Sequence, residues 1–358
     1  MSEWKKTYLR DLIVIKNGKD HKKLKNGQYP VYGSGGIMRY ADSYLYDQES
    51  VLLPRKGTLN NIQFVTEPFW TVDTCYYTVV NRDKVLPYFL YCCLCKMDIQ
   101  SLNTGSAVPS MTFEKYYSIE VPIPLLSTQH RIASILSRYD SLIENYQKQI
   151  KLLEEAAQRL YKEWFIDLRF PGHENTKIVE GLPEGWEKMK VGELIAKVPR
   201  SKQIPTKDYQ KKGVIPIIDQ SRDYIAGYTD DMESKVESNE PYIVFGDHTR
   251  VLKYVPFPFA KGADGTQLIM SNNLDLMPQC LLFTSLVSVD LSNYSYARHF
   301  KYLKEEEILV PTASIANAFS KHVAKWYAKI QLNREQLRIL TEARDRLLPK
   351  LMNGEIAV

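Results

Sequence analysis

Two stretches of this 358-residue chain repeat each other in order at a period of about 185 residues, far too long for a solenoid repeat and suited to a duplicated domain. Glu3-Trp4-Lys5 through Asp11-Leu12-Ile13 corresponds to Gly185-Trp186-Glu187 through Glu193-Leu194-Ile195. Glu67-Pro68-Phe69 answers to Phe257-Pro258-Phe259, and Glu120-Val121-Pro122 answers loosely to Leu309-Val310-Pro311. From Pro124 the match tightens to one fixed offset, pairing Ser127 with Ser314, Ile143 with Ile330, Gln149 with Gln336, Leu153 with Leu340 and Leu160 with Leu347.

That best-preserved part is helical in character. No Gly or Pro falls between Ser127 and Phe165, and apolar residues follow two seven-residue series. Leu136, Ile143, Ile150, Ala157 and Trp164 form one, and Tyr139, Tyr146, Leu153 and Leu160 the other. A seam of this kind, roughly 39 residues or on the order of 58 Å at 1.5 Å per residue, predicts a coiled coil. In the second copy Val323, Ile330 and Leu337 form one series and Phe319, Trp326, Leu340 and Leu347 the other, interrupted by the polar Asn333 and Arg344. Two unrelated amphipathic helices, each lying on its own domain, would also show such stripes. Pairing is the sharper expectation, because a shared register gives each helix a matching stripe and a seam Asn can fix that register. If each half leaves its globular part into its own helix, an internal pseudo-two-fold axis sets the helices antiparallel, with Ser127 and Ser314 as helix N-caps.

The remainder, 1–126 and 186–312, mixes short β-rich runs with Gly and Pro punctuation, as in Tyr29-Pro30-Val31-Tyr32, Ser50-Val51-Leu52-Leu53-Pro54 and Pro241-Tyr242-Ile243-Val244-Phe245. An α+β fold follows: two globular heads, two long helices at 127–169 and 313–352, and a breaker-rich linker at 170–185. Helices are expected at 86–97 and 278–287, covering the sheets. Cys92, Cys93 and Cys95 crowd into the first of these at a spacing unlike zinc pairs, and are expected to be reduced, buried thiols.

Loops between the strands carry the candidate contacts to phosphate and base. The segment Lys16 to Lys25 holds five lysines against one aspartate and leads into Gly33-Ser34-Gly35-Gly36. Lysines there can release condensed counterions, and glycines let backbone amides approach a phosphate. Lys19, Lys22, Lys23, Lys25, Ser34, Arg39, Arg55 and Lys56 are the candidates of the first copy. Arg200, Lys202, Gln220, Arg222, His248, Arg250 and Arg298 are those of the second, since Arg and Gln donor and acceptor pairs match base edges in the major groove. Any one loop alone is an ordinary solvated turn; recurrence in both copies gives them weight. A net charge of only +5 fits clustered basic patches rather than a polycation.

No apolar run reaches the length of a membrane span and the opening residues lack a signal-peptide core, so a cytoplasmic protein is expected. No phosphate-binding loop, Gly-rich cofactor fingerprint or H-E-x-x-H metal site is found. Asp219, Glu233 and Lys235 resemble a nuclease trio that could hold Mg²⁺, but such a trio arises often by chance in a chain that is 25% charged, and the first copy has no equivalent. No catalytic or metal-binding residue is assigned.

Two dissimilar heads, each followed by a similar long helix, together with Tyr29-Pro30-Val31-Tyr32-Gly33, Gly105-Ser106-Ala107-Val108-Pro109-Ser110, Val121-Pro122-Ile123-Pro124, Gly246-Asp247-His248-Thr249 and the Trp186-Glu187 opening, resemble the specificity subunit of Type I restriction-modification systems. The likeness spans essentially the whole chain. It implies that each head is a target recognition domain on one half of a bipartite double-stranded DNA site, with the helices as a ruler for the unread gap. It also implies docking of two adenine-methylating modification subunits and, in the full assembly, restriction subunits. S-adenosylmethionine, ATP and Mg²⁺ would then belong to those partners, and this chain would bind no cofactor and catalyse nothing. Asn333 and Arg344 depart from the seam pattern, and the Asp-His-Thr run is missing from the first head, so the heads should read different bases. A non-catalytic coiled-coil adaptor binding protein partners is the alternative, which weak salt dependence of binding would favour.

Overall fold

The computed structural model describes residues 4–105, 107–294 and 298–358. Glu3 and Ser106, both named above, lie outside them. The chain divides into two compact units, Met1–Glu144 with Leu337–Val358, and Asn145–Gln336, each holding one head and part of both long helices.

The first unit contains β1 (Lys5–Tyr8), β2 (Ile13–Asn17), β3 (Tyr29–Gly33), β4 (Gly36–Ala41), β5 (Ser50–Pro54), β6 (Gln63–Val65), β7 (Trp70–Thr71), β8 (Cys75–Val80), α1 (Pro87–Cys95), α2 (Phe113–Tyr117) and β9 (Glu120–Ile123). Helix α3 (Leu126–Tyr161) starts here and continues into the second unit. That unit adds β10 (Ile178–Val179), β11 (Leu182–Pro183), β12 (Glu187–Lys190), α4 (Val191–Leu194), β13 (Ile215–Ile218), β14 (Gly227–Thr229), β15 (Lys235–Val236), β16 (Tyr242–Gly246), β17 (Leu252–Val255), β18 (Phe259–Lys261), β19 (Thr266–Ile269), α5 (Gln279–Val287), α6 (His299–Glu305) and β20 (Glu307–Val310), and α7 (Ala313–Met352) runs from it into the first.

The duplication is legible in strand topology. β1 pairs antiparallel with β9, and β12 with β20, closing each head at its base. β3 pairs antiparallel with β4 and parallel with β7; β13 does the same with β14 and β18. The runs SVLLP and YIVFG become β5 and β16, each flanked by a strand on either side and buried almost throughout, as continuous apolar runs in central strands should be. Ser50 is tolerated in β5 because its hydroxyl donates to the Thr78 carbonyl at 2.8 Å. Strand register corrects one alignment: Thr7 faces Val121 and Met189 faces Ile308, so Val121 answers to Ile308 rather than to Val310.

Helix α1 packs its apolar residues Phe89, Leu90, Cys92, Cys93 and Leu94 into the first core, but Cys95, its last residue, is exposed. Ser127 and Ser314 are not caps: α3 begins at Leu126 and α7 at Ala313, two residues earlier than a capping role allows. The buried Gln129 organises the α3 start instead, donating to the Pro124 and Lys84 carbonyls and accepting from the Leu86 amide that opens α1.

Within each unit the two long helices run antiparallel. In the first, Ile132 and Leu136 share a core cluster with Leu351 and Met352, while Arg344 meets Asp140 further along. In the second, Gln149 meets Asn333 and Tyr161, Trp164 and Phe165 surround Phe319. Leu136, Ile143, Val323 and Ile330 are buried; Tyr139, Tyr146, Ile150, Leu153, Leu160, Trp326, Leu337, Leu340 and Leu347 are half-buried. The pattern overlooked Tyr327 and Ala316, both buried in the second core.

The polar interruptions have partners. Asn333 is fully buried, and its amide donates to Gln149 Oε1 at 3.2 Å. Arg344 Nη1 donates to Asp140 Oδ1 at 2.9 Å, and Asp140 Oδ2 accepts from the Tyr88 hydroxyl at 2.5 Å. A polar side chain in an apolar seam is tolerable once its donors are met, and such pairs specify register.

Candidate nucleic-acid interface

In both heads the same three turns lie together, because parallel pairing of β3 with β7, and of β13 with β18, brings their C-terminal ends to one edge. In the first head these are the turns after β3, β5 and β7. Asn61 donates to the Ser34 carbonyl at 2.8 Å and Gln63 to the Gly33 carbonyl at 3.1 Å. Arg55 N donates to the Thr74 carbonyl at 2.8 Å, and the Arg55 guanidinium reaches the Asp73 carbonyl. Gly57 holds a φ of +90°, and a Cβ there would sit 3.1 Å from Ser34 Oγ, so the second turn needs glycine to lie against the first. Its amide donates to the Pro109 carbonyl at 2.9 Å, bringing in the 103–110 segment. Ser34, Arg55 and Lys56 are therefore assembled.

The lysine-rich loop joins from the side. Lys19 N donates to the Thr71 carbonyl at 2.8 Å, and the Trp70 indole donates to the Lys19 carbonyl at 2.9 Å. Lys19, Lys22, Lys23 and Lys25 are exposed. Arg39 differs from the sequence reading: its guanidinium turns inward to the Leu24 carbonyl and Asn26 Oδ1, both at 3.0 Å. It holds the lysine loop in shape and leaves the outer surface to the lysines. Ile37, Met38 and Tyr40 of β4 are exposed beside it.

In the second head the turns follow β13, β16 and β18. Gln220 Nε2 donates to the Asp264 carbonyl at 2.8 Å, its Oε1 accepts from the His248 amide at 3.2 Å, and Thr249 Oγ1 donates to the Gln220 carbonyl at 2.7 Å. Asp247 is buried; it accepts from the Phe300 amide at 2.8 Å, and its carbonyl accepts from the His299 amide at 2.9 Å, which brings Arg298 to the cluster. Gln220 and His248 thus meet, with Arg222 and Arg250 exposed on the same turns and Arg298 exposed beside His299. Arg250 takes a φ of +61°, and its Nη1 donates to the Leu291 carbonyl at 2.9 Å.

Arg200 is exposed and no contact of its side chain joins it to the three turns. Lys202 is exposed and bonds Asp231 at 2.8 Å and Glu233 at 3.1 Å, which raise its ammonium above the usual lysine range. The nuclease-like trio is dispersed among other partners: Asp219 with Tyr209 and Ser221, Glu233 with Lys202, Lys235 with Glu237. Among the described residues no group of three or more His, Cys, Asp or Glu could hold a metal ion, and no helix is long and apolar enough to cross a membrane.

The third turn of each head, at Asp73-Thr74 and Asp264-Gly265, was missed by sequence reasoning. The available signal was positional: Asp-Thr and Asp-Gly-Thr sit at matching places after β7 and β18.

Residues 1–155 match the family described as the Type I restriction modification DNA specificity domain. The MjaIX specificity subunit of Methanocaldococcus jannaschii is 27% identical over 347 residues, covering 88% of this chain and 79% of that one. Residues 1–155 thus carry the Type I restriction-modification specificity domain, and similarity to specificity subunits extends over most of the chain. The HindI specificity subunit of Haemophilus influenzae is 22% identical, covering 77% of this chain and 79% of its own length. The Type I S subunit of M. genitalium has the same fold, with a TM-score of 0.67 over 98% of this chain and 96% of that one at 18% identity. Specificity subunits are the non-catalytic components of restriction-modification complexes.

Proposed function

We propose that this specificity subunit binds a bipartite double-stranded DNA site, each head reading one half through its three clustered turns, and catalyses nothing itself. The observation that carries the reading is the recurrence of those turns. Two heads with little sequence in common present polar and basic side chains at the same two strand ends, braced by the backbone of the third turn: Ser34, Arg55 and Lys56 in one, Gln220, Arg222, His248 and Arg250 in the other. The two residue sets differ in size, charge and donor pattern, so the half-sites differ in sequence. Lys19, Lys22, Lys23 and Lys25 supply phosphate contacts beside the first set.

In this reading the recognition domains are 1–126 and 186–312, and α3 and α7 set the length of the unread gap. The same helices carry two adenine methyltransferase subunits, with endonuclease subunits joining the full complex. S-adenosylmethionine, ATP and Mg²⁺ serve those partners.

The test is a map of methylated adenines in cells with and without this gene, followed by binding of the complex to the mapped motif. A two-part motif that vanishes with the gene is expected. Binding should weaken steeply with salt, with a log–log slope near −0.9 per phosphate contacted. Loss of no motif, or binding indifferent to salt, overturns the reading in favour of a protein-binding adaptor. Exchanging 186–312 for another head should alter one half of the motif only.

A further inference from the structure

One strand position recurs behind the first turn of both heads. In the first, Leu52 on β5 faces Gln63 on β6, and Pro54, the last residue of β5, faces Cys75, the first of β8. In the second, Val244 on β16 faces Lys253 on β17, and Gly246, the last residue of β16, faces Thr266, the first of β19. Counting back from those ends puts Gln63 and Lys253 in the same register. Both donate to a backbone carbonyl of the first turn: Gln63 Nε2 to Gly33 at 3.1 Å and Lys253 Nζ to Asp223 at 2.5 Å.

We propose that Gln63 and Lys253 are positioning residues for recognition, each setting the first turn of its head against the duplex, and that only the second head does so with a charge. This rests on the assignment of the turns as the DNA-reading surface.

The surroundings of Lys253 fit that role. Its side chain is buried and lies 3.8 Å from Asp219 Oδ1. Asp219 is the hub of the turn: Oδ1 accepts from the Ser221 amide at 2.8 Å and hydroxyl at 2.5 Å, and Oδ2 from the Tyr209 hydroxyl at 3.2 Å. Tyr209 in turn accepts from the Ala263 amide at 3.0 Å, so one carboxylate ties the first turn to the third. The other charged or titratable groups facing Lys253 are Asp223 in the turn, and Arg334 on α7. Arg334 bonds Glu154 of α3 at 2.8 Å and stacks on Tyr224 at 3.9 Å. The Lys253 and Asp219 side chains are only 3% and 13% exposed, so the arrangement acts through the turn that carries Gln220 and Arg222.

Burial lowers the Lys253 ammonium to about 8, against the pull of Asp219 and Asp223 and with the help of Arg334. Surface lysines keep their protons well above that. As pH rises through this range Lys253 becomes a neutral amine, its attraction for Asp219 disappears, and the turn loosens. Gln63 has no proton to lose, so the first head is unaffected. Stability moves the other way. The folded-state value lies below the ordinary 10.5, so between the two the unfolded chain binds more protons, and this group's contribution to stability grows with pH. A merely structural lysine would therefore not cost recognition while stability rises.

The experiment uses the full chain in complex with its modification subunits and a duplex carrying the mapped motif, with single base-pair changes in either half. The half read by the second head is identified by exchange of 186–312. From about pH 7 to about pH 9, discrimination in that half is expected to fall about tenfold, comparable to one mismatched base pair, and in the other half by less than about twofold. Lys253→Met should show the loss at both pH values, Lys253→Arg should abolish the pH dependence while keeping discrimination, and Gln63→Leu should move the loss to the first half. Equal loss in both halves, no loss in either, or a folded Lys253→Met complex with full discrimination overturns the proposal. Should Lys253→Met not fold, the pH series and Lys253→Arg decide. A parent complex that binds no two-part motif sinks the functional assignment itself, and this proposal with it.

Discussion

The two units attach their head helix to the long helices with opposite chemistry. In the first, Tyr88 of α1 donates to Asp140, which accepts from Arg344 at 2.9 Å. At the duplicated positions of the second unit Asp140 is replaced by Tyr327 and Arg344 by Ala157, both buried. The Tyr327 hydroxyl meets Thr284 Oγ1 of α5 at 3.0 Å, and its ring lies 4.8 Å from Tyr254 and 5.2 Å from Phe283. The Arg344–Asp140 pair is only half-buried, its side chains 30% and 32% exposed, and such a pair returns little, whereas apolar and aromatic burial returns a surplus. The difference teaches that stability sits mainly in the second unit's seam, while the first unit's seam is written for selectivity. It also makes α3 and α7 non-interchangeable, although their sequences descend from one pattern.

The largest expected effect therefore falls in the second unit. Phe319 is fully buried among Tyr161, Trp164 and Phe165, with ring centroids 5.1 to 6.3 Å away. Phe319→Ala should cost about 3–5 kcal/mol, read as a lowered denaturant midpoint of the transition involving that unit. A loss below about 1 kcal/mol would break the comparison, since the aromatic seam would then carry no more than the polar one.

A middle effect belongs to the charged seam. Arg344→Ala leaves Asp140 facing Tyr88 without its cation, at a cost of about 2 kcal/mol. Replacing both charges, Asp140→Leu with Arg344→Leu, should return most of that, because desolvation and attraction vanish together. Equilibrium unfolding of the single and double variants measures the difference. If the double variant is as unstable as the single one, the ion pair is a source of stability and the contrast between units fails.

The helices were open to sequence reading because their period is long and every heptad repeats the same information. The meaning of the breaks was not. Asn333 and Arg344 stand out as polar residues in a seam, but their partners Gln149 and Asp140 lie 184 and 204 residues away, and no local pattern joins them. Basic loops could be found by composition, yet composition cannot tell an exposed lysine such as Lys23 from Arg39, turned inward to Leu24, or from Lys202, paired with Asp231 and Glu233. The third turns were silent because they act through the carbonyls of Asp73, Thr74 and Asp264, and a backbone group leaves no residue-type signature. The Ser127 cap failed because α3 already begins at Leu126, while Gln129, a poor capping residue by type, anchors that end to Lys84, Leu86 and Pro124.

The smallest effect sharpens the contrast within the second unit, where the polar seam pair is neutral. Asn333 Nδ2 is met by Gln149, but its Oδ1 has no hydrogen-bond partner and the residue is wholly buried. An unmet buried acceptor costs stability, and a buried seam Asn is retained where it fixes register. Leucine at both positions, Asn333→Leu with Gln149→Leu, should therefore stabilise the chain by about 1 kcal/mol, seen as a small rise in Tm. Asn333→Leu alone should gain less, because it strands Gln149. The double variant should also widen the range of gap lengths bound in the mapped motif, since the helices lose the contact that forbids a slipped register. A double variant that is less stable than the parent, with an unchanged gap, would mean that the amide pair is a net support of the fold and that register is held by the aromatic cluster around Phe319.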